Sequence, residues 1–291
     1  MSGPVTVTAK TLRRWPLPAP GSEKHSRGVV LVVAGSAQTP GAAVLAGEAA
    51  LRAGCGQLKI ATAASVAAQV AATVPESRVH GLAETASGSL SPAAADEIAA
   101  VAERADTVLI GPGFVDPDDA AALTDALLPR LSAALVIDAL ASAYVARHRD
   151  LGDVDGPCVL TLNPSELGHV LGLDTEAVGR DPQAAVDLLV RESGAVVLLG
   201  GETKTVGAPV HLLHQVTAGG PGLATSGSGD VQAGLVAGLL ARGADPAQAA
   251  VWGAWLHACA GERLARRSGP VGFLARELAA EVPALLGDVT D

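Results

Sequence analysis

The sequence has 291 residues, 49% of them hydrophobic but only 2% aromatic, so its core has to be assembled from closely packed Ala, Val and Leu rather than from rings. Its 30 acidic against 20 basic side chains give a net charge of −10, which excludes a nucleic-acid binder, because neutralising a phosphate backbone requires a basic face. The 3 cysteines lie far apart with no Cys-x-x-Cys spacing, which excludes a disulfide framework or a zinc site and fits a reducing compartment.

In chain order, residues 1–27 are polar and proline-containing and read as a lead-in segment. Arg13 and Arg14 precede "WPLPAP", which has no apolar run of the secretory kind. No stretch reaches the roughly 18 apolar residues that span a bilayer, so the protein is expected to be cytoplasmic, with no membrane partner. "GVVLVVAGS" (28–36) reads as a buried strand ending in a Gly/Ser turn, and "GAAVLAGEAALRAG" from Gly41 as a helix stopping at Gly54. "QLKIATA" is the next strand.

The alternation continues with "SPAAADEIAAVAERA" as helix, "DTVLIGPG" as strand and glycine turn, "DPDDAAALTDALLPRL" as helix and "AALVIDA" as strand. "CVLTLN", "PSELGHVLG", "DPQAAVDLLVRESG" and "AVVLLGG" add strand, helix, helix and strand, and a hairpin is expected over 203–214. There His211 and His214 have a metal-like separation, but three positions apart on an extended chain places the rings on opposite faces, so no metal site is expected. Helices are expected near Asp230, Asp245 and Val271. Strands alternating with helices predict a mainly parallel sheet covered on both faces in one domain over 28–291, with its ligand beyond the carboxyl ends of the strands.

The turns after the strands are therefore where chemistry should sit. "AGSAQTPGA" (34–42) lacks the G-x-G-x-x-G spacing of a dinucleotide loop. "IGPGF" (110–114) lets a ligand approach the backbone, and in "LTLNPSE" (160–166) Asn163 is a natural N-cap ahead of Pro164. The most informative stretch is "TSGSGDVQAGLVAGLLA" (225–241). Its small residues Gly227, Ser228 and Gly229 would let unpaired amides at a helix start curl round an anion. Asp230 would then stand beside that anion as a base, on a helix apolar all round and so held rigidly in the core. Trp252, Trp255 and His257 fall on the later apolar helix and read equally as core or as subunit contacts; a homo-oligomer, such as a tetramer, is expected.

"TSGSGD" resembles the G-x-G-D element of the ribokinase-like superfamily. Taken with "VLVVAGSAQTPGAAVLAGEAALRAGCG", "IGPG", "VIDA" and "LNPSE", in chain order over about residues 24–265, the sequence is similar to the ADP-dependent NAD(P)H-hydrate dehydratase family. The resemblance implies a ribokinase-like three-layer α/β/α sandwich that repairs hydrated NADH and NADPH. It implies Asp230 as the catalytic base and Ala42, Gly113, Asn163 and Asp230 as contacts of the hydrate. It further implies Leu199, Gly200, Gly201, Glu202, Thr203 and Gly229 along the nucleotide, ADP or ATP, with Mg2+ as cofactor, and a hydrate epimerase as a separate chain, with no epimerase domain here. Two positions depart from the family pattern, which often has His at 163 and commonly Lys at 199. The alternatives are a superfamily kinase acting on a vitamin precursor or sugar with ATP, and a nucleotide-binding regulator without catalysis.

Overall fold

The structure, a computed structural model, describes residues 3–290, with the backbone alone for residues 211 and 212. In chain order its strands and helices are β1 (Val5–Thr6), α1 (Ala9–Arg13), β2 (Val29–Val33), α2 (Pro40–Arg52), β3 (Gln57–Ala63), α3 (Ala67–Thr73), β4 (Ser77–Leu82), α4 (Ala95–Ala102), β5 (Thr107–Ile110), α5 (Pro117–Leu127), β6 (Ala134–Asp138) and α6 (Ala143–Arg147). There follow β7 (Cys158–Leu162), α7 (Pro164–Leu171), α8 (Thr175–Arg180), α9 (Pro182–Ser193), β8 (Val196–Leu199), β9 (Lys204–Ala208), β10 (His211–Val216), α10 (Ser228–Ala241), α11 (Pro246–Ser268) and α12 (Ala275–Thr290).

The strands form one sheet in the order β1-β10-β9-β8-β7-β6-β5-β2-β3-β4. From β4 across to β8 every neighbouring pair is parallel, while β9 runs antiparallel to both its neighbours. The central strands are runs such as "VVLVV" and "CVLTL", buried on both faces as parallel strands between helix layers must be. Successive residues of β2 divide between two cores. Val30 and Val32 face α2, α3, α10, α11 and α12, and Leu31 and Val33 face the layer of α4 to α9. This is the expected three-layer sandwich.

Two elements escaped the sequence reading at each end of the sheet. β4 and α3 come from 67–82, where Arg78 and His80 break the apolar pattern because β4 is an edge strand. The segment expected to be a lead-in joins the domain. β1 pairs in parallel with β10, Leu12 is fully buried, and the Trp15 carbonyl accepts hydrogen bonds from Trp252 Nε1 (3.0 Å) and Gln248 Nε2 (3.1 Å).

α10 is buried along almost its whole length, as its all-round apolar sequence predicts. It lies directly on the backbone of α2: a methyl group at Gly234 would stand 2.2 Å from the Ala46 carbonyl oxygen, and one at Gly238 2.4 Å from that of Ala50. Only hydrogen fits at these two positions.

Candidate active site

The turn before α10 has its N-cap at Gly227, in the left-handed region (φ 85°) and with no side chain to cap with. Ser228 N–H is taken by the Thr225 carbonyl (3.2 Å), and the Val231 amide bonds back to Gly227 (3.2 Å). The amides of Gly229 and Asp230 are left without a backbone partner among the described residues, so the donors for an anion are these two and the Ser228 hydroxyl. Asp230 is the third residue of the helix and not its cap. Burial pushes its carboxyl up to about 6, as a base working near neutral pH requires.

This helix end opens into a cavity of about 760 Å³ at the carboxyl ends of the parallel strands. Asn163, Gly200, Gly201, Glu202, Ser228, Gly229 and Asp230, all expected from the sequence, line it together. Asn163 does cap α7: its Oδ1 accepts from the Ser165 and Glu166 amides (2.9 Å each), while Glu166 Oε2 accepts from the Asn163 amide (2.8 Å). That fixes the carboxamide and leaves its NH2 group as the donor a ligand could meet.

Leu199, Thr203 and Gly227 lie outside the lining. The Leu199 side chain is 2% exposed in the core on the α4 to α9 side, so it offers a ligand nothing of its own. Gly227 instead adjoins α2, where an added methyl would lie 2.4 Å from Leu45 Cδ1 and 3.8 Å from Asp230 Oδ2.

Ala42 and Gly113 meet each other on that neighbouring side. Gly113 has φ 71°, a methyl there would lie 2.6 Å from Ala42 Cβ, and its carbonyl accepts from Thr39 Oγ1 at 2.6 Å. The Gly35 amide bonds to the Pro112 carbonyl (2.8 Å), tying the 34–42 turn to the "GPG" turn. Like Leu199, Thr203 and Gly227, Ala42 and Gly113 both lie outside the cavity lining, so of the four residues that the resemblance links with the hydrate only Asn163 and Asp230 face the cavity.

The structure adds residues that the sequence reading did not single out. Asp138 is buried at the cavity wall with Thr161 Oγ1 donating to it at 2.6 Å, and burial raises its carboxyl well above the ordinary range. Next to it Ala139 adopts φ 49°, a left-handed conformation rare for a residue with a side chain and a mark of a constrained wall. Glu166 is also raised by burial, and Asp230 adds to the effect by like charge. Lys204 and Gln232 line the cavity under α10, with Lys204 Nζ donating to Gln232 Oε1 at 2.6 Å.

His257, expected to be a core or subunit residue, lines the cavity as well. Its Nε2 lies 2.9 Å from both the Ser228 hydroxyl and the Ser228 carbonyl, and burial, helped by the charge of Lys204, holds the ring neutral. A single polar side chain in "AVWGAWLHACA" was the available signal. Trp252 and Trp255 are in the core, 0% and 8% exposed, so they present no tryptophan face to a neighbouring subunit. The side chain of His211, half of the HLLH pair, lies outside the described residues. Among the described residues no helix is long and apolar enough to cross a membrane.

A sequence model of the family described as NAD(P)H-hydrate dehydratase matches residues 30–284. The ADP-dependent (S)-NAD(P)H-hydrate dehydratase of Xanthomonas campestris pv. campestris is 44% identical over 288 residues, covering 98% of each chain. A bifunctional NAD(P)H-hydrate repair enzyme Nnr of Moorella thermoacetica is 36% identical over 91% of this chain, which spans 50% of that longer relative. Among solved structures, the ADP/ATP-dependent NAD(P)H-hydrate dehydratase of Bacillus subtilis, co-crystallised with ATP and Mg2+, has a TM-score of 0.85 at 26% identity, with 99% of each chain covered.

Proposed function

The chain belongs to the NAD(P)H-hydrate dehydratase family, and on that footing we propose that it uses ADP to dehydrate the S form of NADH or NADPH hydrate, restoring the reduced nicotinamide and releasing AMP and phosphate. The observation that carries the reading is Asp230, a carboxyl raised to about 6 at a cavity, beside two amides that have no backbone partner among the described residues.

In this reading Asp230 takes the proton of the hydroxyl on the hydrated ring. The freed oxygen attacks the terminal phosphorus of ADP, and AMP leaves. Charge accumulating on the transferred phosphoryl group is met by the Gly229 and Asp230 amides and the Ser228 hydroxyl, which His257 holds in place. The phosphate ester then departs as inorganic phosphate, with loss of a proton from the adjoining ring carbon, and the double bond returns. Proton abstraction accounts for about 10² to 10⁴ in rate, and positioning and charge stabilisation for most of the remainder.

Magnesium suits the oxygen donors present. Asp138, Glu166 and Asp230 face one cavity, yet no group of three acidic, histidine or cysteine side chains among the described residues could cage an ion by itself. Such an ion would arrive on nucleotide phosphates, where Glu166 would be the carboxylate to meet it and charge neutralisation the chemistry it would supply. A cytoplasmic location, with Cys55, Cys158 and Cys259 all unpaired, and an epimerase that supplies the S form belong to the same proposal.

The test is to incubate the protein with NADH hydrate and ADP and follow the absorbance of reduced nicotinamide. Recovery matched by AMP formation is expected. No recovery, with ADP formed from ATP in the presence of a vitamin precursor or sugar, would return the chain to the kinases.

A further inference from the structure

Four carboxylates, Asp138, Glu166, Glu202 and Asp230, line the cavity, against a single cation, Lys204. Even with Asp138 keeping its proton, the acids that ionise repel a nucleoside diphosphate unless positive charge is concentrated where the phosphates lie. The strand position at which the resemblance leads one to look for that charge is Leu199, whose side chain is in the opposite core. β9 runs back antiparallel beside it. Leu199 pairs with Thr205, so the side chain of the preceding residue, Lys204, points to the other face of the sheet, towards α10 and α11.

There Lys204 is 4% exposed, and its ammonium donates to an uncharged group, Gln232 Oε1. Gln232 is one turn along α10 from Ser228, so the ammonium sits beneath the same helix end whose Gly229 and Asp230 amides have no backbone partner among the described residues. A buried ammonium held by one amide oxygen is destabilising as it stands, and burial brings its pKa down to about 8. An anion bound at the helix end would offset that cost and would find the ammonium, two amides and the Ser228 hydroxyl converging on it.

We propose that Lys204 is the phosphate-binding cation of this site, contacting the phosphate chain of the nucleotide co-substrate and supplying from β9 the charge that position 199 lacks. This rests on the nucleotide-dependent reading of the cavity. The pyrophosphate of the hydrated dinucleotide offers the same chemistry, so the experiment has an arm for each source.

Binding of ADP, AMP and adenosine to wild type, Lys204→Met and Lys204→Arg is measured by calorimetry, and KM for the hydrate is measured separately. For Lys204→Met the ADP dissociation constant should rise about tenfold or more, the scale of one lost charge-assisted hydrogen bond. Adenosine affinity and the hydrate KM should be unchanged, Lys204→Arg should stay within about threefold of wild type for ADP, and the ligand-free melting temperature of Lys204→Met should not fall. Unchanged ADP affinity, equal losses for ADP and adenosine, or a rise in the hydrate KM alone would overturn the assignment. If Lys204→Met does not fold, Lys204→Gln carries the same comparison. A wild type that binds no ADP would remove the dehydratase reading and this inference together, whereas a wild type that binds ADP and restores NADH beside an unaffected Lys204→Met removes the inference alone.

Discussion

Replacing Asp230 by Asn keeps the shape of the side chain and removes its ability to accept a proton, and two effects of opposite sign should follow. Without its base the enzyme should lose about 10² to 10⁴ in turnover. Folding, in contrast, should improve. Because burial lifts the carboxyl from its ordinary 3.8 to about 6, the native state holds the proton more tightly than the unfolded chain does, and the ionised acid opposes folding. That penalty is absent below about pH 4, grows between about 4 and 6 and is complete above. At ~1.4 kcal/mol per pH unit it amounts to at most ~3 kcal/mol at neutral pH, which the neutral amide avoids.

For a domain of this size ~3 kcal/mol raises the melting temperature by roughly 5 °C. The assay pairs nicotinamide recovery with thermal melting at pH 7 and at pH 4, where the two proteins should converge in stability. Wild-type kcat/KM should also fall about tenfold per pH unit below about 6, as the base takes up its proton. Asp230→Asn that turns over within tenfold of wild type would show that this carboxylate is not the base, and a variant that melts below wild type at pH 7 would show that its ionisation does not oppose folding.

Thr161→Val preserves shape but removes the 2.6 Å hydrogen bond to the buried Asp138 carboxyl. The variant should be less stable by ~1–3 kcal/mol in thermal or urea melts, and an unchanged midpoint would mean that the bond contributes nothing. Gly113→Ala forces a side chain into φ 71° and a contact 2.6 Å from Ala42 Cβ. It should raise the KM for the hydrate while leaving ADP affinity in calorimetry as it was, and equal KM values would place the hydrate elsewhere.

Much of the layered fold was legible because β2, β5, β6, β7 and β8 are short apolar runs separated by helical stretches, and burial on both faces leaves them little freedom of composition. Asp230 was legible for a local reason, since glycines ahead of an apolar helix have few other uses. The second half of the cavity was not. Lys204, Gln232 and His257 come from a strand and two helices that are ordinary in sequence, and their meeting is a matter of tertiary packing that no local spacing encodes. β1 escaped for a similar reason, since two residues take strand form only because β10 offers them a ladder.

The contact of α10 on α2 has a mechanical consequence. With Gly234 and Gly238 pressed against carbonyl oxygens of α2, the helix carrying the acid and the helix opening at the 34–42 turn pack as one unit. The position of Asp230 relative to the 34–42 turn is therefore set when the chain folds.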